Sequence, residues 1–350
     1  MAVLSLERKN SEKRKIPNPS LTGTTHVFSP QIRRKLEFHC APPYNIGDRQ
    51  AQQGFGDYIM TFYVIGNGFD LHYGLNTTYS NFKTFLLENG YWELVRKVDQ
   101  LFYERGNFSP KEIDTWSKFE DMLQVFNCLD ADEIYDEAMD NAETDDDRAG
   151  YWDSPSWNVG YYNEYIRVLK QQFDSWIRNF NTCIVPDHYF MPRKGDFILT
   201  FNYTTTIEDS FRPVNYDIAH IHGTVGQELV LGHNDYQKPD TFVVIEDEDS
   251  DYRDTTTKNA VNDVLELAAV QYFKNSEEIL FEYVSVFSSI PLYDKVVIMG
   301  LSCGSQDAIY VYEILKYAKE IDFYYHGSES KSNFEEYASG SRVRVNYIHW

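Results

Sequence analysis

Four short β-rich runs of this chain each end directly on glycine or on a polar side chain. The first run, 61–65, breaks into Gly66-Asn67-Gly68, and later runs end on Asn202, on His222-Gly223 and on Gly300-Leu301-Ser302. Stretches with helical spacing of apolar residues separate the runs, so the expected fold is a largely parallel α/β sheet. Ligands of open parallel sheets bind beyond the carboxyl ends of the strands. The four ends therefore predict one shared site.

The remaining pattern completes this fold. Strands are predicted at 61–65, 196–201, 216–221, 228–231, 295–299, 321–325 and 342–348. Helices are predicted at about 114–139, 161–181 and 258–288, and from about 305 to 319. The helices between the first two strands form a helical insertion at about 76–190. Two acidic runs, 143–147 and 246–251, lack the spacing of an EF-hand and are interpreted as solvated loops.

Charge is divided unevenly along the chain. The 350 residues carry a net charge of −22, but residues 1–59 hold nine Lys or Arg and five Asp or Glu, which gives +4. Residues 60–350 therefore carry −26, which excludes nucleic acid as the main ligand. The Pro-containing segment 1–59 is predicted to be a disordered leader, with Met60 as a candidate native start. A basic arm for a membrane surface or nucleic acid is the alternative interpretation.

Cysteine usage and hydropathy indicate the compartment. The four cysteines lie far apart without a C-x-x-C pair, so neither a zinc ribbon nor a disulfide framework is indicated. No apolar run approaches the roughly 18 residues of a membrane helix, and no signal peptide begins the chain. We expect a cytoplasmic protein with reduced thiols and no membrane association.

Two strand-end motifs allow more than one chemistry. Gly66-x-Gly68 is loosely similar to a dinucleotide-binding turn, in which glycine lets the backbone approach a pyrophosphate, but a plain strand-to-helix turn is equally compatible. His220-x-His222, with His233 and Asp235 nearby, could bind a metal. We expect no metal, because Gly223 after His222 indicates a ligand close to the backbone.

A third motif allows a serine hydrolase. Gly300-x-Ser302-x-Gly304 matches the nucleophile elbow and lies between a predicted strand and a predicted helix. The 46 residues after Gly304 leave little room for the acid and histidine of a triad, although Asp322, His326 and His349 are available. A turn of small residues for close backbone packing is the alternative.

Several motifs occur in the order of a known family. They are 64–75, Thr78-Tyr79, Phe82, Trp116-x-x-Phe119-Glu120, 201–204, 220–223, 231–235, and Gly300-Leu301-Ser302 with Asp307. Over about 60–350 the chain resembles the AbiH family of phage abortive-infection proteins. Members of that family begin a few residues before the first motif, which supports Met60 as the start. The resemblance implies a role in phage defence.

The same motif order is similar, more distantly, to sirtuin-like domains. That resemblance implies a Rossmann-like fold, NAD as ligand, and Asn202 and His222 as the catalytic pair. Gly66, Gly68 and Phe69 would line the pyrophosphate and ribose, and Gly300 and Ser302 would touch the adenosine half. The full cofactor-binding set implied is Gly66, Asn67, Gly68, Phe69, Asp70, Gly223, Gly300, Ser302 and Asp307.

Departures from the sirtuin pattern change the expected reaction. The zinc-binding cysteines of the deacetylases are absent, Asn67 stands where sirtuins have Ala, and Thr204 replaces an acidic residue. Zinc-free sirtuin-like domains of defence proteins commonly hydrolyse NAD, so the resemblance implies an NAD glycohydrolase that acts in abortive infection. In that reaction His222 is the general base, Asn202 orients water or ribose, and Asp70 or Glu120 stabilises the oxocarbenium.

Two other functions remain open. The chain could be a nucleotide-binding sensor that switches a partner without chemistry, or a serine hydrolase that uses Ser302. Constitutive cleavage of NAD would kill the host cell, so a gate is expected. The expected partners are NAD or a related nucleotide, an unknown phage trigger, and a second copy of this chain.

Overall fold

Six parallel strands form the central sheet. The computed structural model describes residues 59–105, 115–143, 155–211, 216–245 and 251–350, and the structural statements below refer to these ranges. The strands are β1 (Thr61–Ile65), β2 (Phe197–Thr200), β3 (Asp217–His220), β4 (Lys295–Met299), β5 (Glu320–Tyr325) and β6 (Arg344–His349). Their order is β3-β2-β1-β4-β5-β6, and all neighbours are parallel. This is the strand order of doubly wound folds, so the predicted Rossmann-like sheet is confirmed.

Twelve α-helices accompany the sheet in the described ranges. After β1 come α1 (Gly68–His72), α2 (Tyr79–Glu88), α3 (Trp92–Arg105), α4 (Phe119–Met122), α5 (Ala131–Glu143) and α6 (Pro155–Arg178). The later helices are α7 (Thr206–Ser210), α8 (Tyr252–Gln271), α9 (Ser276–Glu282), α10 (Val284–Ser289), α11 (Ala308–Tyr317) and α12 (Ser328–Ala338). Helices α2 to α6 lie between β1 and β2, as predicted for the helical insertion.

Strand β1 is covered on both faces. Successive side chains of a strand point to opposite sides, so Val64 packs in one core with Phe287 and Val311, and Ile65 packs in another with Phe190. All five residues of β1 are buried. A parallel strand covered on both faces needs no polar positions, which is why this run is almost continuously apolar.

The helical insertion builds a third apolar core. The rings of Trp116 and Phe119 stack with centroids 5.0 Å apart, and Phe82 lies at the side of the Phe119 ring. Tyr203 and Leu231, which follow β2 and β3, belong to the same core. The insertion therefore packs against the segments that leave the carboxyl ends of these strands.

Some predicted elements differ from the structure. Residues 228–231 form no strand; Val230 N–H donates to the His222 carbonyl, and Leu229 and Leu231 are buried in the helical core. The predicted helix 258–288 is interrupted, since α8 ends before Tyr272 and α9 begins at Ser276. The predicted helix 114–139 is divided by 3-10 turns at Thr115–Lys118 and Leu123–Cys128.

Other predictions fall largely outside the described residues. They are the leader 1–59, and the acidic loops 143–147 and 246–251 apart from their ends, where Asp251 caps α8 by accepting a hydrogen bond from Arg253 N–H. The proposed division of the chain after residue 59 stays a prediction. In the described ranges, no helix combines the length and apolar character needed to cross a membrane.

Candidate functional site

The loops that follow β1 and β4 cross in direct backbone contact. Gly68 N–H donates to the Gly300 carbonyl at 2.8 Å. A Cβ atom at Gly68 would lie 2.7 Å from the Gly300 Cα. Gly300 has φ +69°, and a Cβ there would lie 2.2 Å from the Phe69 nitrogen. Glycine is required at this crossing because no side chain fits between the two backbones.

This crossing uses atoms that the sequence assigned to a ligand. The N–H groups of Gly68 and Phe69 donate to the carbonyls of Gly300 and Gly66, and the Phe69 side chain is enclosed in an aromatic core. Asn67 is exposed, and its amide donates to the Thr77 carbonyl at 2.9 Å. In this conformation the loop therefore does not present the Gly68 and Phe69 amides to a pyrophosphate.

Asp70 on α1 is a fully buried carboxylate (0% exposed). Thr204 Oγ1 donates to its Oδ2 at 2.5 Å, and Thr206 Oγ1 donates to Thr204 Oγ1 at 3.1 Å. Its Oδ1 has no hydrogen-bond partner among the described residues. Burial raises the pKa of Asp70 to about 6, while the hydrogen bond from Thr204 and the nearby polar groups of Thr206 and Asn202 act in the opposite direction. We call Asp70, Asn202, Thr204 and Thr206 the sheet-edge cluster.

Asn202 follows β2 and is held by its backbone. Its N–H donates to Thr200 Oγ1 at 3.1 Å, and its carbonyl lies 2.9 Å from His220 Nδ1. His220 Nε2 in turn lies 2.7 Å from a carboxylate oxygen of Glu208. The Asn202 side chain is 6% exposed, and its Oδ1 has no hydrogen-bond partner in the described ranges. The backbone contacts fix an amide oxygen that is buried and free.

His222 follows β3 and is 3% exposed. Its ring lies between Phe201 and Tyr310, with centroid distances of 5.3 and 5.7 Å. No described residue bonds to its Nε2. Burial, together with the charge of Lys274, lowers the pKa of His222 well below its usual value. The imidazole is therefore neutral at pH 7.

Gly223 closes the turn after His222. It has φ +79°, and a Cβ atom there would lie 2.1 Å from the Glu228 carbonyl oxygen. The close approach to the backbone that the sequence predicts at Gly223 is thus made by the chain itself. Contact of Gly223 with a ligand stays a prediction.

A second polar cluster adjoins this site and combines one residue of the helical insertion with two residues of later segments. Lys274 is 1% exposed, and its Nζ lies 3.4 Å from Asp307 Oδ1 and 3.7 Å from Glu120 Oε2. The Tyr79 hydroxyl donates to Glu120 Oε1, and the Tyr203 hydroxyl lies 3.3 Å from the same oxygen. We call Glu120, Lys274 and Asp307 the ion cluster.

The ion cluster adjoins His222. Lys274 Nζ lies 6.0 Å from the centre of the Tyr310 ring, which also contacts His222. Burial raises the pKa of Glu120, and the Lys274 ammonium acts against that rise. Asp307 therefore lies beside the Lys274 ammonium. The cofactor-binding role predicted for Asp307 stays a prediction.

The break between α8 and α9 positions Lys274. Its backbone N–H donates to the His233 carbonyl at 2.7 Å, and His233 N–H donates to the Tyr272 carbonyl at 2.9 Å. The Asn275 side chain caps α9. The 231–235 motif thus braces the segment that carries Lys274. In the part of the chain that the structure describes, no group of three His, Cys, Asp or Glu side chains could hold a metal ion.

In the turn after β4, the non-glycine residue with a positive φ angle is Cys303 and not Ser302, the predicted nucleophile. Cys303 has φ +54°, and its thiol is buried. Burial raises the pKa of the Cys303 thiol far above its usual value, so the thiol is protonated. Ser302 is exposed, while Asp322 bonds to Lys295 Nζ at 2.6 Å. This geometry does not favour a serine hydrolase.

Residues 62–325 match the sequence model of a family described as bacteriophage abortive infection AbiH. The match covers about three quarters of the 350 residues. The chain belongs to the AbiH family. Its role is therefore phage defence by abortive infection. None of the curated proteins is similar enough in sequence to count as a relative of this AbiH chain.

Two charged residues of this AbiH site, Lys274 and Glu208, are not predicted from the sequence. Lys274 lies within a stretch that the pattern predicts as one continuous helix, where a single lysine is typical of a solvated face. Glu208 lies in the short helix α7 after the Thr204 motif. The available signal for Lys274 is the Lys-Asn-Ser sequence at 274–276, which is typical of a helix break with a cap.

Proposed function

We propose that this protein hydrolyses NAD to ADP-ribose and nicotinamide, and that the loss of NAD carries out abortive infection. Three buried atoms support the proposal most: Asp70 Oδ1, Asn202 Oδ1 and His222 Nε2, none of which has a hydrogen-bond partner among the described residues. Each such atom costs about 1–3 kcal/mol of stability. Their positions after β1, β2 and β3 are where sheets of this type bind ligands.

In the proposed reaction, the bond between ribose C1′ and the nicotinamide nitrogen breaks, and both electrons leave with nicotinamide. A water molecule supplies the oxygen that bonds to C1′, and its proton passes to His222 Nε2 and then to solvent. The ring is a cation in NAD and neutral after release, so its departure requires no acid. A buried site also limits the number of water molecules that reach C1′.

The two predicted catalytic side chains have distinct roles in this reaction. The neutral His222 imidazole has a lone pair available at Nε2, although the lowered pKa makes it a weak base. Asn202 Oδ1 accepts a hydrogen bond from the attacking water or from a ribose hydroxyl. Asp70, ionised above about pH 6, places negative charge near the oxocarbenium.

The test is nicotinamide release from NAD by the purified full chain, with and without extract of phage-infected cells. Asn202→Ala and His222→Ala should each lower the rate by about 100-fold or more, which is the usual range for general acid–base groups. Asn89→Ala and His326→Ala, at exposed positions outside the site, are the matched controls. Retention of NAD loss and of phage protection by both site variants would rule the proposal out.

A second candidate is a nucleotide-binding switch without chemistry. It is favoured by how closed the site is, since Asn202 and His222 are nearly inaccessible and the Gly68 amide is already bonded. A switch predicts that NAD binds, measured by calorimetry, and that no nicotinamide is released under any condition. For the hydrolase and for the switch alike, the proposed partners are an unknown phage trigger and a second copy of this chain.

A further inference from the structure

Lys274 is a buried cation between two carboxylates at the wall of the proposed site. Its Nζ lies 3.4 Å from Asp307 and 3.7 Å from Glu120. Charge-assisted hydrogen bonds between such groups are usually about 2.7–2.9 Å long. The ammonium is therefore shared between the carboxylates rather than bonded tightly to one of them, and the cluster has a net charge of −1 when both are ionised.

One unpaired polar atom points to a ligand beside this cation. His222 Nε2 is buried and has no hydrogen-bond partner among the described residues, and the Tyr310 ring lies against it. The Tyr310 ring lies 6.0 Å from Lys274 Nζ, within the distance of a cation–π interaction. A position between two carboxylates and against an aromatic face also suits a flat organic cation.

We propose that Glu120, Asp307 and Tyr310 form a subsite for an N-substituted pyridinium cation, and that Lys274 occupies the place of the ligand's charge at rest. The inference rests on the proposed function, because the nicotinamide end of NAD is such a cation. A ligand then enters only when the Lys274 side chain leaves. Lys274 lies in the break between α8 and α9, where hydrogen bonds to His233 hold the backbone, so the movement is one of the side chain alone.

Departure of Lys274 has a second effect on the same site. Burial and the Lys274 ammonium both lower the pKa of His222. Other titratable groups around the cluster include the hydroxyls of Tyr79, Tyr203, Tyr310 and Tyr337 and the thiol of Cys303. Once Lys274 leaves, the cation subsite is vacant and the imidazole is a stronger base. Movement of the Lys274 side chain thus opens the cation subsite and makes His222 more basic, so Lys274 controls both ligand binding and the reaction.

The experiment measures binding of 1-methylnicotinamide, a pyridinium cation, and of nicotinamide, its neutral analogue, to the full chain by calorimetry. Lys274→Ala removes the resident charge and leaves space, so it should bind the cation about 10-fold more tightly than the unsubstituted chain does. The affinity for neutral nicotinamide should change less than about 2-fold. Lys274→Arg keeps the charge and should behave like the unsubstituted chain. In the double variant Lys274→Ala with Glu120→Gln, the gain in affinity for 1-methylnicotinamide should be lost.

Folding of each variant is checked by circular dichroism. If Lys274→Ala does not fold, Lys274→Gln, which retains amide donors for both carboxylates, takes its place under the same criteria. Equal binding of the cation and the neutral ring by the folded variant overturns the inference. Absence of binding of both probes also overturns it.

The same variants separate this inference from the proposed hydrolysis. Cation binding that depends on Lys274, without nicotinamide release from NAD, supports the subsite and rules out the hydrolysis. Nicotinamide release that is the same with and without the Lys274 ammonium supports the hydrolysis and overturns the subsite. With both correct, Lys274→Ala should release nicotinamide from NAD without any extract of infected cells.

Discussion

The sheet-edge cluster and the ion cluster bury carboxylates by different means. Asp70 accepts a hydrogen bond from the Thr204 hydroxyl, and no cation among the described residues bonds to it. Glu120 and Asp307 share the ammonium of Lys274. Burial raises the pKa of Asp70 to about 6, and the hydroxyl groups offset only part of that rise. An ammonium supports ionised carboxylates but must itself remain buried.

The two clusters can therefore respond to a ligand in different ways. The sheet-edge cluster can change by gaining a proton or a hydrogen-bond donor at Asp70 Oδ1. The ion cluster can change by exchanging one cation for another. Three measurements separate these two responses.

Removing the cation should have the largest effect on stability. Lys274→Met leaves Glu120 and Asp307, whose side chains are 18% and 17% exposed, without an opposite charge. Breaking a fully buried pair costs about 3–5 kcal/mol, and we expect a loss near the lower end of that range. The measurement is urea unfolding of the full chain at pH 7. Lys316→Met, at an exposed position on α11, is the control and should have no measurable effect. A loss below about 1 kcal/mol would show that the carboxylates do not depend on the ammonium.

The sheet-edge cluster should respond to pH instead. The folded pKa of Asp70, about 6, exceeds the ordinary value of 3.8 expected for the unfolded chain, so its contribution to stability falls as pH rises from about 4 to about 6. This shift corresponds to about 3 kcal/mol. In Asp70→Asn this contribution is absent, so its stability relative to the unsubstituted chain should rise by that amount between pH 4 and pH 7. Parallel stability curves of the two proteins would contradict the assignment.

Removing one hydroxyl should have the smallest effect. Thr204→Val deletes the donor to Asp70 Oδ2 and should cost about 1–2 kcal/mol at pH 7–8. The cost should be smaller at pH 5, where Asp70 is protonated and can donate. Thr256→Val is the control, because the Thr256 hydroxyl bonds to the Tyr252 carbonyl on the exposed face of α8. An equal cost at both pH values would show that the hydroxyl acts through packing rather than through charge.

The positions of Asn202 in the sheet-edge cluster and of His222 beside it were predictable because both residues follow strands. Asn202 and His222 come directly after apolar runs that only a buried sheet explains, and parallel strands bring such ends together. The predicted strand 228–231 was wrong because its apolar residues serve the helical core, and an apolar run by itself does not identify its partner.

The ion cluster could not be assembled in the same way. Glu120 comes from the insertion, Lys274 from a helix break and Asp307 from the turn before α11, so their proximity depends on tertiary packing. Sequence periodicity describes one element at a time. The role of the first glycine loop was also open, because glycine suits both a ligand and another backbone, and here Gly300 is the neighbour of Gly68.

The crossing of the β1 and β4 loops constrains Gly66, Gly68 and Gly300 together during evolution. A methyl group at Gly68 would meet the Gly300 backbone, and one at Gly300 would meet the backbone of Gly68 and Phe69. A side chain at Gly66 would meet Leu301. Substitution at one position cannot be relieved by a smaller residue at another, since glycine is already the smallest. A lineage that keeps this crossing must keep all three glycines, whatever ligand its site binds.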